Sequence, residues 1–384
     1  MTKHEQETNM DANGARDLGT RQHTAPAATD AVDFRDKVDI LDYEQAAGGP
    51  QRQEMRGFDP DYVDIVDYVI RCTHKIWEEG GIGLIYDHYT QNTTVWSDWG
   101  MTYGRERTME YVIQRLAGFP DYRLYGDDVV WAGDDAEGFR TCHRFVQTGH
   151  NTGWSKYGSP TGRRVQFRAF ANCVVRENRI VEEWLVHDEI AIVRQLGLDL
   201  DTVLYELSDQ VDADAIAVIA SEVPRVVGQL MPTVYTPKRP NEFDVEDFVR
   251  QGLHEIWNWR LLNKIPAFYA PTCTIHGPAA RNFSGHGEIK ASVLSLLAAF
   301  PDAMLEIDDL YFNGNERDGY RTAVRWTLMG THRGISPYGR PTGKQIRILG
   351  TTQHHIKGGK VIEEWMLFNE LALLWKLRHG GHEV

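Results

Sequence analysis

The sequence predicts an α+β protein made of two tandem copies of one domain, each a set of N-terminal helices packed on a curved antiparallel sheet. Three observations carry this reading. The segment 179–197 returns at 360–377, with Glu182, Glu183, Trp184 and Glu189 matched by Glu363, Glu364, Trp365 and Glu370. Within each copy the spacing of apolar residues changes from three and four to two, the signature of helices followed by strands. A Phe-Pro-Asp step, Phe119-Pro120-Asp121 and Phe300-Pro301-Asp302, stops a helix at the same place in both copies. The repeat sets a first domain at 56–200 and a second at 242–384. An acidic N-terminal arm precedes them at 1–55, and a helix and Pro-rich linker join them at 201–241.

In chain order, the arm is rich in Asp, Glu, Gln, Thr, Ala and Gly, so it buries too little apolar surface to offset its ordering entropy and reads as disordered. A short apolar piece, Val38 to Tyr43, could dock on the body. From Pro60 to Trp77 the residues Tyr62, Val63, Ile65, Val66, Val69, Cys72, Ile76 and Trp77 have helical spacing, with a counterpart from Val245 to Trp257. Extended pieces follow at Thr93–Trp96 and Cys273–His276. Second helices run from Arg105 to Ala117 and from Glu288 to Ala299. Period two then predicts strands at Tyr122–Trp131, Phe139–Thr148, Arg163–Val175 and Ile180–Val186, repeated at Ala303–Phe312, Tyr320–Met329, Lys344–Ile356 and Val361–Leu367, with turns such as Glu177-Asn178 between them. The linker carries one more helix, about Thr202–Ser221, before Pro224, Pro232, Pro237 and Pro240.

Composition narrows the function. The chain of 384 residues carries a net charge of −14, and no basic stripe offsets it, so nucleic acid is not an expected partner. Cys72, Cys142, Cys173 and Cys273 lack metal or redox spacing and read as reduced core thiols of a cytoplasmic protein. No stretch has the length of apolar residues that a membrane span needs, and no secretory leader is expected.

The runs Gly330-Thr-His-Arg-Gly334, Tyr338-Gly-Arg-Pro-Thr-Gly343 and Val361-Ile-Glu-Glu-Trp365 resemble the SnoaL-like polyketide cyclase, or ester cyclase, group of the nuclear-transport-factor-2-like superfamily. The first copy keeps the frame as Gly149-His-Asn-Thr-Gly153, Tyr157-Gly-Ser-Pro-Thr-Gly162 and Ile180-Val-Glu-Glu-Trp184. The resemblance implies cone-shaped α+β-barrel domains and chemistry without metal or organic cofactor. It also implies a His from the Gly-Thr-His-x-Gly segment beside the Asp four residues after the Trp. That Asp shuttles a proton at a carbon acidified by a carbonyl, which needs apolar walls to raise its pKa, while the His donates to the oxyanion. Neither copy is intact: the first has Asp188 but Asn151 at the His register with His150 beside it, and the second has His332 but Asn369.

Asp188 therefore reads either as the proton shuttle or as the N-cap of the following helix, a role that Asn369 would fill equally. His150, Asn151 and His143 are the candidates to orient or polarise the substrate; His143 stands where the second copy has Val324. His187 points to the opposite strand face from Asp188. Trp96, Trp99, Tyr103 and Trp154 are aromatics of the first copy alone, and with Tyr89 and His187 they are the expected contacts of a flat substrate. Arg144 and Arg325, at one register, read as structural partners of Glu182 and Glu363, and the doublets Asp127-Asp128 and Asp308-Asp309 as fold elements. His332, Asn369 and His276 would mark a second-domain pocket. The scatter of histidines in that copy fits no metal motif.

The resulting expectation is a cofactor-independent cyclase, isomerase, dehydratase or lyase acting on a small aromatic or carbonyl-containing molecule. The two copies would pack as an intrachain pseudo-dimer, with further homo-oligomers an open alternative. Non-catalytic small-molecule binding and a scaffold role are the alternatives.

Overall fold

A computed structural model describes residues 40–208 and 232–379. Each repeat forms a six-stranded mixed sheet with helices packed on its concave face. In the first, helices α1 (Ile40–Ala46), α2 (Ile65–Trp77) and the short α3 (Ile85–His88) lead into β1 (Tyr89–Ser97) and β2 (Gly100–Tyr103). Helix α4 (Arg105–Gly118) then precedes β3 (Arg123–Asp134), β4 (Gly138–His150), β5 (Arg164–Arg176) and β6 (Arg179–His187), and α5 (Glu189–Leu196) and α6 (Leu200–Ser208) follow. The second repeat runs α7 (Val245–Leu253), α8 (Ile265–Phe268), β7 (Tyr269–His276), β8 (Asn282–Ser284), α9 (Gly285–Ala299), β9 (Met304–Asn315), β10 (Gly319–Thr331), β11 (Gln345–Lys357), β12 (Lys360–Phe368) and α10 (Glu370–Arg378).

The sheet orders are β2-β1-β6-β5-β4-β3 and β8-β7-β12-β11-β10-β9. The four-strand run of each repeat is antiparallel, as expected, and the extended pieces add to its free edge, with β1 parallel to β6 and β7 parallel to β12. Local chemistry is shared. Asp64 and Asp244 cap α2 and α7, their carboxylates accepting the amides of Asp67 and Asp247 at 2.8 and 2.9 Å. The β5–β6 turn places Glu177 and Asn178 at φ 46° and 67°, and its counterpart uses Gly358 and Gly359, which enter that region without strain. Asp127 and Asp308 are the extra residues of β-bulges that bend β3 and β9, which explains why both copies carry the doublets.

One expected helix shifts. The α7 helix stops at Leu253 and widens into a π-helical turn over His254–Asn258, where the Asn258 side chain donates to Leu305 O at 2.9 Å and accepts its amide at 2.7 Å. In the linker, α6 is described as far as Ser208, and the rest of the expected helix, with Pro224, lies outside the described residues. The part of the arm before residue 40 also lies outside them, whereas residues 40–55 carry α1 and bury Met55. Among the described residues no helix is long and apolar enough to cross a membrane.

The convex faces of the two sheets meet. Val130, Cys142, Phe170 and Val186 pack with Tyr311, Leu349, Trp365 and Leu367. Around this apolar centre the Arg144 guanidinium lies 3.6 Å from the Trp365 ring centroid, and Arg325 lies 3.6 Å from that of Trp184. Arg144 also donates to Asp127 and, across the junction, to Gln353, both at 2.8 Å. Arg140 pairs with Asp309 at 2.5 Å. In place of the expected pairing with Glu182, Arg144 takes Asp127 and Gln353, because it lies at the Val186 register, four residues along the same outward face from Glu182; Arg325 packs on Trp184.

Candidate functional site

Strand β6 sorts its residues by alternation. Glu183, Leu185 and His187 face the inside of the first cone, whereas Glu182, Trp184 and Val186 face the second repeat. The inward set lines a cavity of about 50 Å³ together with residues of α2, β1, β3, β4 and β5.

Glu183 is buried, accepts a hydrogen bond from the Tyr89 hydroxyl at 3.2 Å, and is pushed up to about 7 by burial, against the opposing pull of that hydroxyl. His143 and His187 are both driven down to about 3 by burial, so each is a neutral imidazole at pH 7; the Arg115 charge adds to the effect at His187. The His143 Nε2 is buried without a hydrogen-bond partner. Tyr122 donates to Gln147, and both line the same cavity. A carboxyl group raised toward neutrality, neutral histidine side chains beside it and walls such as Val69, Ile76 and Phe145 line one space.

The second cone is the internal comparison. Its Tyr269 hydroxyl donates to Glu364 at 2.8 Å, and burial pushes Glu364 up to about 7 as well. At the registers of Tyr122, His143, Gln147 and His187, however, stand Ala303, Val324, Leu328 and Phe368. Trp326 fills that interior, its indole packed so tightly on Gly350 that a Cβ there would lie 2.1 Å from the ring. The buried His354 bonds Thr322 through Nδ1 at 2.7 Å and sets its Nε2 3.5 Å from Glu364. The Tyr–Glu pair belongs to the scaffold; the polar set around it belongs to the first copy.

Of the residues singled out from sequence, His143, His187 and Tyr89 line the cavity. Asp188 is outside that lining: its Oδ1 accepts the Ala279 amide at 2.8 Å and its Oδ2 the Ala280 amide at 2.9 Å, both from the β7–β8 loop of the second repeat. Burial raises its pKa against those two hydrogen bonds. His150 is exposed at the end of β4, its Nδ1 2.6 Å from Asp121. Asn151 braces its own loop, donating to Gly153 O at 3.0 Å and accepting the Thr161 amide at 2.9 Å. Trp96 donates to Glu182 at 2.9 Å in the cleft between repeats, and Trp99 donates to Glu189 at 2.7 Å. Tyr103 and Trp154 are exposed on the surface, 63% and 72% respectively.

In the second repeat the three candidates are separate. Asn369 caps α10 by accepting the Leu371 and Ala372 amides at 3.1 and 3.2 Å. His276 stacks on Trp365 and sits 2.9 Å from Glu363. His332 is buried against Phe300 and Thr342. Glu44, His74 and Glu79 bring ligand atoms within 4.8 Å of one another, but outside the cavity lining, with His74 Nδ1 held 3.0 Å from Glu78.

Glu183, Gln147 and Tyr122 were not singled out from the sequence. The signal existed: Gln147 against Leu328 and Tyr122 against Ala303 are polar-for-apolar exchanges of the kind that marked His143. Glu183 was obscured because Glu-Glu-Trp is present in both copies, which pointed to the fold as a unit although its two carboxylates face opposite ways.

A model of the SnoaL-like polyketide cyclase family matches residues 68–196 and 247–377. No curated protein matches the chain. Among solved structures, one named as a polyketide cyclase from Acidithiobacillus ferrooxidans shares 26% identity with a TM-score of 0.32, covering 35% of this chain and 95% of that one. A SnoaL-like polyketide cyclase from Agrobacterium tumefaciens shares 15% with a TM-score of 0.30, covering 35% of this chain and 99% of that one. Each therefore spans about one of the two repeats. With two matched regions that together span most of its length, the chain belongs to the SnoaL-like polyketide cyclase family and carries the family's domain twice.

Proposed function

We propose that the first repeat is a cofactor-independent acid–base catalyst that moves a proton at a carbon next to a carbonyl of a small molecule, with Glu183 as the proton-transfer group. The observation that carries this reading is a carboxyl group titrating at about 7 inside the cavity that His143, His187, Tyr122 and Gln147 share. An ordinary carboxylate is a weak base at neutral pH; one raised to about 7 has the right affinity both to take the proton and to return it. In the step, the Glu183 carboxylate takes the α-proton, the C–H electron pair becomes the C=C bond while the C=O π pair moves onto oxygen to give the enolate, and the carboxylic acid then returns the proton to the same carbon or to another atom of the enolate as these pairs move back. Neutral His143 or His187 donates a hydrogen bond to the enolate oxygen, while the Tyr122 hydroxyl stays committed to Gln147. Asp188, with both oxygens committed to the second repeat, has no part in this step.

A cavity of about 50 Å³ favours a small substrate: it is smaller than the roughly 150 Å³ that encloses benzene, so a single aromatic ring enters only as lining side chains move aside. The test is hydrogen–deuterium exchange at the methyl group of acetophenone, followed by NMR in heavy water. Wild-type protein is expected to accelerate exchange, and Glu183→Gln to lose roughly 100-fold or more of that rate. Unchanged exchange in Glu183→Gln would remove Glu183 from the chemistry.

A second reading, ligand binding without turnover, has one observation in its favour: the Tyr269–Glu364 pair persists in a cone filled by Trp326. Ligand-induced thermal stabilisation without any exchange would select it.

A further inference from the structure

Arg115, on α4, is only 7% exposed, and among the described residues no carboxylate forms an ion pair with it. Its Nη2 donates to the Tyr111 hydroxyl at 2.7 Å, and its guanidinium lies over the Tyr111 and Phe167 rings at 5.6 and 5.5 Å from their centroids. The Nη1 is buried with no partner, and the buried hydroxyl of nearby Tyr157 faces Glu189 without forming a well-aligned hydrogen bond. Burying a charge without an opposite charge or full hydrogen bonding is destabilising, so a protein that keeps one has left a place for an anion.

The place adjoins the cavity. Arg115 is not itself a lining residue, but the rings of Tyr111 and Phe167, against which its guanidinium lies, are each 6.3 Å from the ring of His187, which lines the cavity. Tyr122, a second lining residue, feels the Arg115 charge. The second repeat keeps the tyrosine but not the cation. Leu296 stands at the Arg115 register, and the counterpart of Tyr157, Tyr338, satisfies its hydroxyl on Glu370 at 2.8 Å. In the first repeat the matching Glu189 is taken by Lys156 and by Trp99. The unmet cation therefore occurs in the cone that also keeps the polar lining, beside a tyrosine hydroxyl that Glu189 leaves without a well-aligned bond.

We propose that Arg115 and Tyr157 hold the anionic end of the first cone's ligand, so that the substrate is a small carbonyl compound carrying a carboxylate. The single cation, the planar guanidinium fork and the small apolar-walled cavity suit one carboxylate better than a doubly charged phosphate. The assignment of the carbonyl half rests on the acid–base reading given above; the carboxylate half rests on Arg115.

The experiment titrates the full chain with benzoate and with its neutral isostere benzamide, reading intrinsic fluorescence and the thermal midpoint. Wild-type protein is expected to bind benzoate roughly tenfold or more tightly than benzamide. Arg115→Leu, which copies the second repeat, is expected to fold with a higher thermal midpoint and to lose the preference, while Arg115→Lys keeps part of it. Benzoate binding no tighter than benzamide, including binding by neither, overturns the proposal, as does a preference that survives in Arg115→Leu. Acetophenone exchange is read independently. Exchange without a benzoate preference leaves the acid–base reading standing and removes the anion site; a benzoate preference without exchange keeps Arg115 as the anchor of a binding protein.

Discussion

Asp188 of the first repeat holds Ala279 of the second: its Oδ1 accepts the Ala279 amide at 2.8 Å while its Oδ2 accepts that of Ala280 at 2.9 Å. Both alanines sit at positive φ, 61° and 54°, so the carboxylate fixes a loop conformation that the alanines alone disfavour. The arrangement is reciprocal. Asp98, in the β1–β2 loop of the first repeat, accepts the amides of Leu349 and Asn369 in the second at 3.0 and 3.2 Å. Asp188→Ala is expected to cost about 2–4 kcal/mol by urea unfolding, because two buried amides lose their acceptor. Asp188→Asn, which keeps one acceptor oxygen, should cost less. Acetophenone exchange by either folded variant should stay within about twofold of wild type; a Glu183-like loss in Asp188→Asn would return the shuttle to Asp188.

Gly350 and Trp326 are a volume exchange with the first repeat, where Ala169 and Phe145 stand at the same registers. Gly350→Ala forces a methyl group to within 2.1 Å of the indole and should destabilise by about 2 kcal/mol or more. Adding Trp326→Phe should recover a good part of the loss. Additive effects in this double-mutant cycle would mean that the two positions are not coupled.

Glu364 gives a pH dependence with a definite sign. Its folded-state pKa, about 7, lies above the ordinary 4.5, so its contribution to stability is complete below about pH 4.5 and is lost as pH rises through 7. Glu364→Gln should therefore gain on wild type between pH 5 and pH 8, by on the order of 3 kcal/mol in total. The buried histidines act oppositely. His187, depressed to about 3 from 6.5, contributes stability above pH 6.5 that is lost as pH falls toward 3, so His187→Phe should flatten the acid limb of a stability–pH profile. Denaturant midpoints across pH 3–9 measure both; parallel profiles for wild type and Glu364→Gln would contradict the burial assigned to Glu364.

Giving the first cone the second cone's residues, by His143→Val, Gln147→Leu and His187→Phe together, should raise the thermal midpoint by several degrees while abolishing acetophenone exchange. Buried polar groups at a working site cost stability that apolar packing restores. A variant that is both less stable and still active would show that these side chains serve packing and not chemistry.

Much of this was legible beforehand from particular residues. Helical spacing over Ile65 to Trp77, Phe-Pro-Asp stops and period-two runs ending at Glu-Glu-Trp specify local structure and its repetition, because they act through neighbours in the chain. His143 against Val324 was readable as a cavity residue by the same comparison that exposes Gln147 and Tyr122. Asp188 was readable only as an exchange with Asn369. A register can say that two copies differ, but a carboxylate's partner is set by what faces it.

Sequence alone therefore determined the two-copy α+β architecture, the family resemblance and which copy keeps polar residues, since periodicity, turn chemistry and residue type are properties of short segments. Tertiary structure decided that Glu183 and not Asp188 looks into the cone, that Arg115 is buried without an anion, and that the Trp of each repeat meets the other repeat's Arg. Those facts depend on strand alternation, on β1 joining β6, and on the two convex faces coming together. Burial and long-range contact, which no local pattern encodes, turn an ordinary Glu into a group that titrates near neutrality.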